Sequence, residues 1–462
     1  MFSTQELPDV ANFKYFLRTD HGATAFLAES SAGPTTLTRA PGRLDVMGGV
    51  ADYSGSLVAE MTIAEAALVA LSPRTDRTLR VWSRGIDAEG HTPQVSVSIE
   101  GFYSPGGSLL SYDAVQTLLR SDPQTRWAAY VFGCVFTLLA EGIVPHFSHG
   151  ANILLDSRVP LGAGVSSSAA IEVATMQALN AAFGLNLDGV AVARLSQMVE
   201  NKVVGAPCGI MDQMTSALGV QNSLLLILCQ PHEIQGTQEL PEGVQVYGIN
   251  SNVKHSVGGT AYTRARVAAF MGRKLLGVEY LANLAFRSVP SMSSLPNSIT
   301  GADFEKQHGE TGDTVTRISP DEVYNIHDAA LHGIQEPARI ALFKSVLQNT
   351  AEETMQQDNA LAMAGLAMYS SHKSYTSIGL GCVETDLLVE LGRTAGPDKG
   401  IYGAKITGGG SGGTVAFLTQ GDRAAQTISE IAEAYQAQTG LTPQIFTGGQ
   451  SPGAMAFGSD EL

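Results

Sequence analysis

The sequence predicts an α+β protein of two domains with mixed sheets, and three observations lead there. Strand-like and helix-like segments alternate irregularly, without the regular strand–helix series of a parallel α/β sheet. The chain has 462 residues, enough for about two or three domains and a sizeable core. Hydrophobic residues make up 44 % and charged residues 16 %, a balance that excludes wholesale disorder. A boundary near residue 220 would divide the chain into 1–220 and 221–462.

Before residue 100, short apolar alternations such as LRVWS (79–83) and VSVSI (95–99) read as strands. From Asp113 to Ala140 the pattern turns helical, with Trp127, Tyr130, Val131, Cys134 and Leu138 at spacings of three and four. ANILLDSRVP (151–160) is a strand ended by Pro160, and a Gly/Ser loop leads from it into the helix SAAIEVATMQALNAAFG, with Gly184 a natural stop. A second helix covers about 188 to 202. NSLLLILC (222–229) and VQVYGINSN (244–252) follow as strands. The stretch from Arg287 to Pro320, rich in Ser, Pro, Gly, Asp and Thr, reads as a long surface insertion. Helices then cover roughly 335 to 395. GAKIT, a glycine loop, TVAFL, an amphipathic helix near 422–438 and a strand around Gln444 close the chain.

Lys and Arg total 28 against 44 Asp and Glu, a net charge of −16. Such a chain offers no broad cationic face to nucleic acid or an anionic membrane, so an anionic ligand must be held by local dipoles and a few placed cations. Cys134, Cys208, Cys229 and Cys382 form no CxxC pair, which disfavours a zinc or thiol–disulfide site and suits reduced core cysteines. The N-terminus lacks a basic-then-apolar signal pattern, and the run Leu224–Cys229 is far too short to span a bilayer. A cytoplasmic location is expected.

Three glycine-bearing motifs carry the chemistry. RAPGRLDVMGGVADYSG (39–55) sets arginines, aspartates and a tyrosine among small residues. It reads either as a polar turn or as a sugar or phosphate pocket, where carboxylates accept hydroxyl hydrogen bonds. PLGAGVSSSAA (160–170) lies between a strand and a helix, where exposed backbone N–H groups and the helix dipole bind phosphate without a lysine. The alternative there is a Ser-capped helix after a flexible turn. TGGGSGG (407–413) fits both GxGxxG and GxSxG, but a strand follows it instead of a helix. A glycine hairpin is expected, and a dinucleotide fold, an α/β-hydrolase with Ser411 as nucleophile and a P-loop enzyme are all disfavoured.

Together, in this order and at these separations, the motifs resemble the GHMP kinases. APGRLDVMGGVADYSG is similar to the galactokinase signature, PLGAGVSSSAAIE to the family's phosphate loop and TGGGSGG to its third motif. APCGIMDQ, SNVKHSVGGTAY and WAAYVFG are also galactokinase-like. RLDVMGG, ADYSGSLV, GAPCG, MDQMTSA, HSVGG and TGADFEKQHGETGDTV resemble the kinase portion of plant-type L-arabinokinases more closely. The resemblance implies a two-domain kinase with its active site in the cleft between domains. ATP and Mg2+ would be the cofactors and small molecules the only partners of a monomer or small homo-oligomer.

The resemblance also implies roles. Asp212 would be the catalytic aspartate, as base or as orienting group for the sugar C1 hydroxyl, with Arg43 paired to it or to the developing oxyanion. Gly162, Ala163, Gly164, Val165, Ser166, Ser167 and Ser168 would cradle the nucleotide phosphates. Ser168 and Glu200, the latter twelve residues before Asp212, would bind magnesium, which keeps several waters. Trp127 and Tyr130 read either as core or as the adenine wall. For the sugar, Asp52 and Tyr262 lead, with Arg43, Gly49, Val50, Tyr53, Asp212, Gly409 and Gly410. Asp45 and Lys254 are further candidates, equally readable as surface groups.

One departure points to the substrate. Galactokinases have Glu-His where this sequence has Gly49-Val50, at the 6-hydroxymethyl end of the sugar. L-Arabinopyranose is D-galactopyranose with that group replaced by hydrogen, so the pentose is the expected substrate. Galactose would bury an unpartnered hydroxyl at a cost of about 1–3 kcal/mol. The expected reaction is phosphorylation of L-arabinose at C1; galactokinase and a non-catalytic sugar sensor are the alternatives.

Overall fold

The structure, a computed structural model, describes residues 7–253, 260–287, 292–348 and 354–462. Two helices that the alternation before residue 100 conceals come first, α1 (Pro8–Thr19) and α2 (His21–Ala28). Pro8 suits the first turn of α1, and the Asp20 side chain accepts the Ala23 N–H to cap α2. Their apolar faces cover Leu37, Leu68 and Leu154 on the outer side of a sheet.

The sheet begins with β1 (Thr36–Met47), β2 (Leu57–Pro73), β3 (Thr78–Ser83) and β4 (Gln94–Ser98). The single helix expected over 113–140 is two, α3 (Tyr112–Arg120) and α4 (Ala129–Ala140), because Ser121, Asp122 and Pro123 break the run. Next are β5 (Ala151–Ser157), α5 (Ser167–Ala182), α6 (Gly189–Met198), a single π-turn over Val199–Val204, and α7 (Met211–Leu218). Then come β6 (Ser223–Leu228), β7 (Glu233–Glu239) and β8 (Val244–Asn250).

Among the described residues the first sheet has 8 strands, with β6 on the first half of β2 and β5 on the second. The order β1-β2-β5-β3 mixes antiparallel pairs with a parallel β3–β5 pair, as the irregular alternation predicts. The sheet runs on through β7 to Glu239, past residue 220. Helix α5 is buried on nearly every face. Small residues such as Ala169, Ala170, Ala174 and Ala178 let it press against β1 and β2.

The second half contains α8 (Thr260–Leu276), β9 (Ile299–Thr300), α9 (Gly301–His308), β10 (Val323–Tyr324), α10 (Ile326–Gln348), α11 (Thr354–Ser377) and α12 (Val383–Ala395). The chain ends with β11 (Ile401–Ile406), β12 (Thr414–Gln420), α13 (Ala424–Thr439), β13 (Gln444–Thr447), α14 (Ala454–Phe457) and β14 (Asp460–Glu461). A second sheet, ordered β11-β12-β8-β13, is antiparallel throughout, and β11 and β12 form the expected hairpin around the third glycine motif. The described part of the 287–320 stretch is folded: Ile299 pairs with Tyr324, and Phe304 is fully buried in the second-half core. Strand β14 returns to β1 and ties the two halves. No helix among the described residues is long and apolar enough to cross a membrane, and the four cysteines are free thiols.

Candidate active site

Strand β1 delivers the first motif to the cleft through two irregularities in its register with β2, at Pro41/Arg43 and at Asp45/Met47. Such bulges re-aim side chains, and here Arg43 turns toward the residues before α5 and α7. Its Nε and Nη2 donate to Asp212 Oδ1 at 3.0 and 2.7 Å, and its Nη1 donates to the Gly164 carbonyl at 2.8 Å. The other Asp212 oxygen accepts the Ser166 hydroxyl at 2.6 Å. One arginine thus links the Gly/Ser turn to the carboxylate 169 residues away in sequence. Behind it, Glu60 of β2 lies 3.3 Å from Arg43 Nε, fully buried and without a hydrogen bond on either oxygen. Burial pushes the Glu60 carboxyl well above the ordinary carboxylate range, and the neighbouring Asp45 charge adds to this. Arg43 remains protonated, since Asp212, Glu60 and Asp45 more than offset its desolvation.

No serine side chain caps α5. Ser166 has φ +61° and spends its hydroxyl on Asp212, so the first amides of α5 open on the cleft beside Asp212. Anions favour such a helix N-terminus. Gly162, Gly164, Ser166, Ser167 and Ser168 line the cleft, whereas Ala163 and Val165 turn their side chains into the core. The Ser166 hydroxyl holds Asp212, which leaves its residue's part in a phosphate cradle to the main chain.

Glu200 sits in the π-turn with 1 % of its surface exposed. Burial, with the Asp212 charge adding, raises its carboxyl to about 7 against hydrogen bonds from Ser168, Cys208 and Gln213. Gln213 Nε2 donates to Glu200 at 2.6 Å and to Glu172 at 3.2 Å. Ser168 and Glu200 line the same cleft. A hydroxyl and a carboxylate are hard oxygen donors that suit magnesium. No group of three His, Cys, Asp or Glu residues placed to hold a metal ion stands among the described residues, and an ion that takes most of its shell from phosphates and water needs none.

Ser167 and Ser168 also line an adjoining cleft with Trp127, Tyr130, Leu161 and Ile171. Trp127 donates its indole N–H to the Thr92 carbonyl, which fixes the ring plane. The expected aromatic pair therefore stands beside the helix N-terminus.

At the opposite end lie Val50, Asp52, Tyr262, Gly408 and Gly409. Asp52 accepts the Tyr53 N–H, and burial lifts its carboxyl to about 6. A Cβ on Gly209 would strike the Asp52 carboxylate, so a glycine is needed for this close approach. Tyr53 faces an outer polar cleft instead, with its ring edge-on to Tyr262. Three further expected sugar residues also stand elsewhere. Asp45 is fully buried against Lys405 at 2.8 Å. Gly49 lies behind the wall, where Asp45 and the Tyr375 hydroxyl fill the volume of a side chain. Gly410 packs on the Leu380 carbonyl, and Gly408 takes its place at the cleft. Lys254 lies outside the described residues.

Sequence reading missed Glu60, Ser166 as partner of Asp212, Gln213, and the lining residues Pro207, Cys208 and Met211. The APCGIMDQ run that holds Asp212 signalled the last four residues; nothing local to strand β2 signalled Glu60.

Comparison with known proteins identifies the family. Residues 129–220 match the GHMP kinases N terminal domain, and residues 357–437 match the GHMP kinases C terminal domain. The L-arabinokinase of Arabidopsis thaliana is 37 % identical over 91 % of this chain, which spans 46 % of that protein's length. The galactokinase of Chloroflexus aggregans is 30 % identical over 90 % of this chain and 92 % of its own. Lactococcus lactis galactokinase, solved with galactose, superposes with a TM-score of 0.71 over 98 % of this chain and 99 % of its own at 18 % identity, a shared fold. A mevalonate kinase gives 0.53 over 89 % and 98 % at 14 % identity. The chain belongs to the GHMP kinases and is a phosphotransferase of their galactokinase-like branch.

Proposed function

We propose that this protein is an ATP-dependent sugar 1-kinase that converts L-arabinose to L-arabinose 1-phosphate and ADP. The observation that carries the kinase reading is the Asp212 carboxylate, held by Arg43 and Ser166 beside the open amides of α5. The nucleotide phosphates rest on the Gly/Ser turn, and the adenine lies toward Trp127 and Tyr130. The sugar sits against Val50, Asp52 and Tyr262 with its C1 hydroxyl at Asp212. As the C1 oxygen bonds to the γ-phosphorus and the bond to the ADP oxygen breaks, Asp212 takes the hydroxyl proton. Arg43 balances the negative charge gathered there. Ser168 and Glu200 would hold a magnesium ion, which supplies charge neutralisation on the transferred phosphoryl group.

Two observations favour the pentose. The wall at Val50 is apolar and fully buried, so a hydroxymethyl group meets no partner there. The relative of highest identity reported above is an L-arabinokinase. A galactokinase reading keeps the same chemistry with a different sugar. A panel of L-arabinose, D-galactose and their uronic acids, with ATP and Mg2+ in a coupled ADP-release assay, tests the proposal. Greatest kcat/KM with L-arabinose is expected. Equal or better turnover of D-galactose overturns the specificity, and no ADP release with any sugar overturns the kinase reading.

A further inference from the structure

Behind the sugar end of the cleft lies a buried polar cluster that the phosphoryl-transfer chemistry does not use. Asp45 and Lys405, both fully buried, pair at 2.8 Å between the first and second halves of the chain. Asp45 Oδ1 accepts the Gly49 N–H at 3.1 Å, and Oδ2 accepts the Gly408 N–H at 3.3 Å. The Tyr375 hydroxyl of α11 stands 3.2 Å from Asp45 Oδ2 and 3.0 Å from the Gly408 carbonyl. On α10, His332 Nε2 lies 3.3 Å from the Gly49 carbonyl, and its Nδ1 lies 2.9 Å from the Ser374 hydroxyl. A carbonyl only accepts, so Nε2 carries the hydrogen and Nδ1 accepts from Ser374.

Gly49 is thus held at both its N–H and its carbonyl, and the following residue is forced. Val50 has φ +61°, a left-handed conformation that a β-branched residue avoids. Such a conformation persists only where the surroundings over-determine it. Val50 lines the sugar end of the cleft, and so do Gly408 and Gly409. The two walls therefore share one clamp, the Asp45–Lys405 pair with Tyr375.

We infer that Tyr375, His332 and Lys405, none of which lines the cleft, are positioning residues that set the width of the sugar pocket, and hence sugar choice, by holding Val50 in its left-handed conformation. This rests on the sugar-kinase reading above. The occupied space beside Gly49 adds a consequence: a larger side chain at position 49 needs both the Asp45 carboxylate and the Tyr375 hydroxyl to move.

Tyr375→Phe removes one hydroxyl and keeps the ring in the core. Expected are a rise of about tenfold in KM for L-arabinose, from loss of a buried hydrogen bond, and a KM for ATP that stays within about twofold. The ratio of kcat/KM for D-galactose over L-arabinose should rise about fivefold as Val50 relaxes and the wall retreats. In a Val50→Gly background the strain is gone, so Tyr375→Phe should leave that ratio unchanged; a coupled pair is non-additive. His332→Leu should behave as Tyr375→Phe, and His332→Gln, which keeps a donor, should restore most of the selectivity. Thermal unfolding of each variant establishes that it is folded at the assay temperature. With L-arabinose turnover intact in the parent enzyme, an unchanged sugar ratio in Tyr375→Phe, equal rises in both KM values, or full additivity with Val50→Gly overturns this inference alone. A parent enzyme that phosphorylates neither sugar overturns the functional reading and the inference with it.

Discussion

Asp52→Asn tests the electrostatics of the cleft where the sugar is proposed to sit. Asp52 is 2 % exposed, and burial lifts its carboxyl from an ordinary 3.8 to about 6. The Tyr53 N–H and Arg266 oppose that rise, while Asp212 and Asp45 add to it. Between those two values the folded protein holds a proton that the unfolded chain has released. Stability contributed by this group is therefore largest below 3.8, falls as pH rises toward 6, and is level above that. At about 1.4 kcal/mol per pH unit, a gap of about two units corresponds to about 3 kcal/mol, less whatever water in the cleft screens. Asparagine has no such transition. The free energy of unfolding of the variant minus that of the parent, from urea titrations at about pH 4 and about pH 7.5, should grow by about 2–3 kcal/mol toward the higher pH. Taking a difference cancels the titrating groups that do not themselves feel the charge of Asp52. A flat difference across that range refutes the assignment of a buried, destabilised carboxylate at position 52. With the sugar placed as proposed, KM for the sugar should also rise in this variant, because an acceptor for ring hydroxyls has lost its charge.

Two further outcomes follow from the reacting groups and their supports. Asp212→Asn should lower kcat by about 10²–10⁴-fold, with ATP affinity by calorimetry nearly unchanged; unaltered turnover would remove Asp212 from the chemistry. Its Tm should also fall, because the buried Arg43 guanidinium loses the carboxylate it holds at 2.7 Å. Gly209→Ala should push the Asp52 carboxylate out of place and raise KM for the sugar by about tenfold while sparing KM for ATP. Equal effects on both substrates would show a general collapse of the cleft.

The reacting centre was largely legible because its signals are local. A glycine-serine turn before a helix announces open amides wherever it occurs, and Asp212 and Glu200 stand in runs whose composition marks a site. The fold was less so. The helices α1 and α2 were hidden by the strand-like alternation that follows them. That β6 and β7, beyond residue 220, complete a sheet begun by β2 is a long-range pairing that no local pattern announces. Arg287–Pro320 looked like a loose insertion on composition, yet Phe304 and the Ile299–Tyr324 pairing anchor its described part. Polar residues in that stretch dilute the apolar signal that long-range packing later uses.

What the chain determines by itself is which groups need satisfying: helix-start amides want an anion, buried carboxylates want cations, and small residues permit close approach. Which partner arrives is settled only in three dimensions. Asp45 reads in sequence as a sugar ligand, but Lys405, 360 residues away, neutralises it inside the core. Gly49 reads as space left for a smaller sugar, but Tyr375 and Asp45 occupy that space and leave Val50 as the wall. Charge compensation and volume filling are sums over all neighbours, and the neighbours of motif 1 come from α10, α11 and β11, whose distances from it no local pattern encodes.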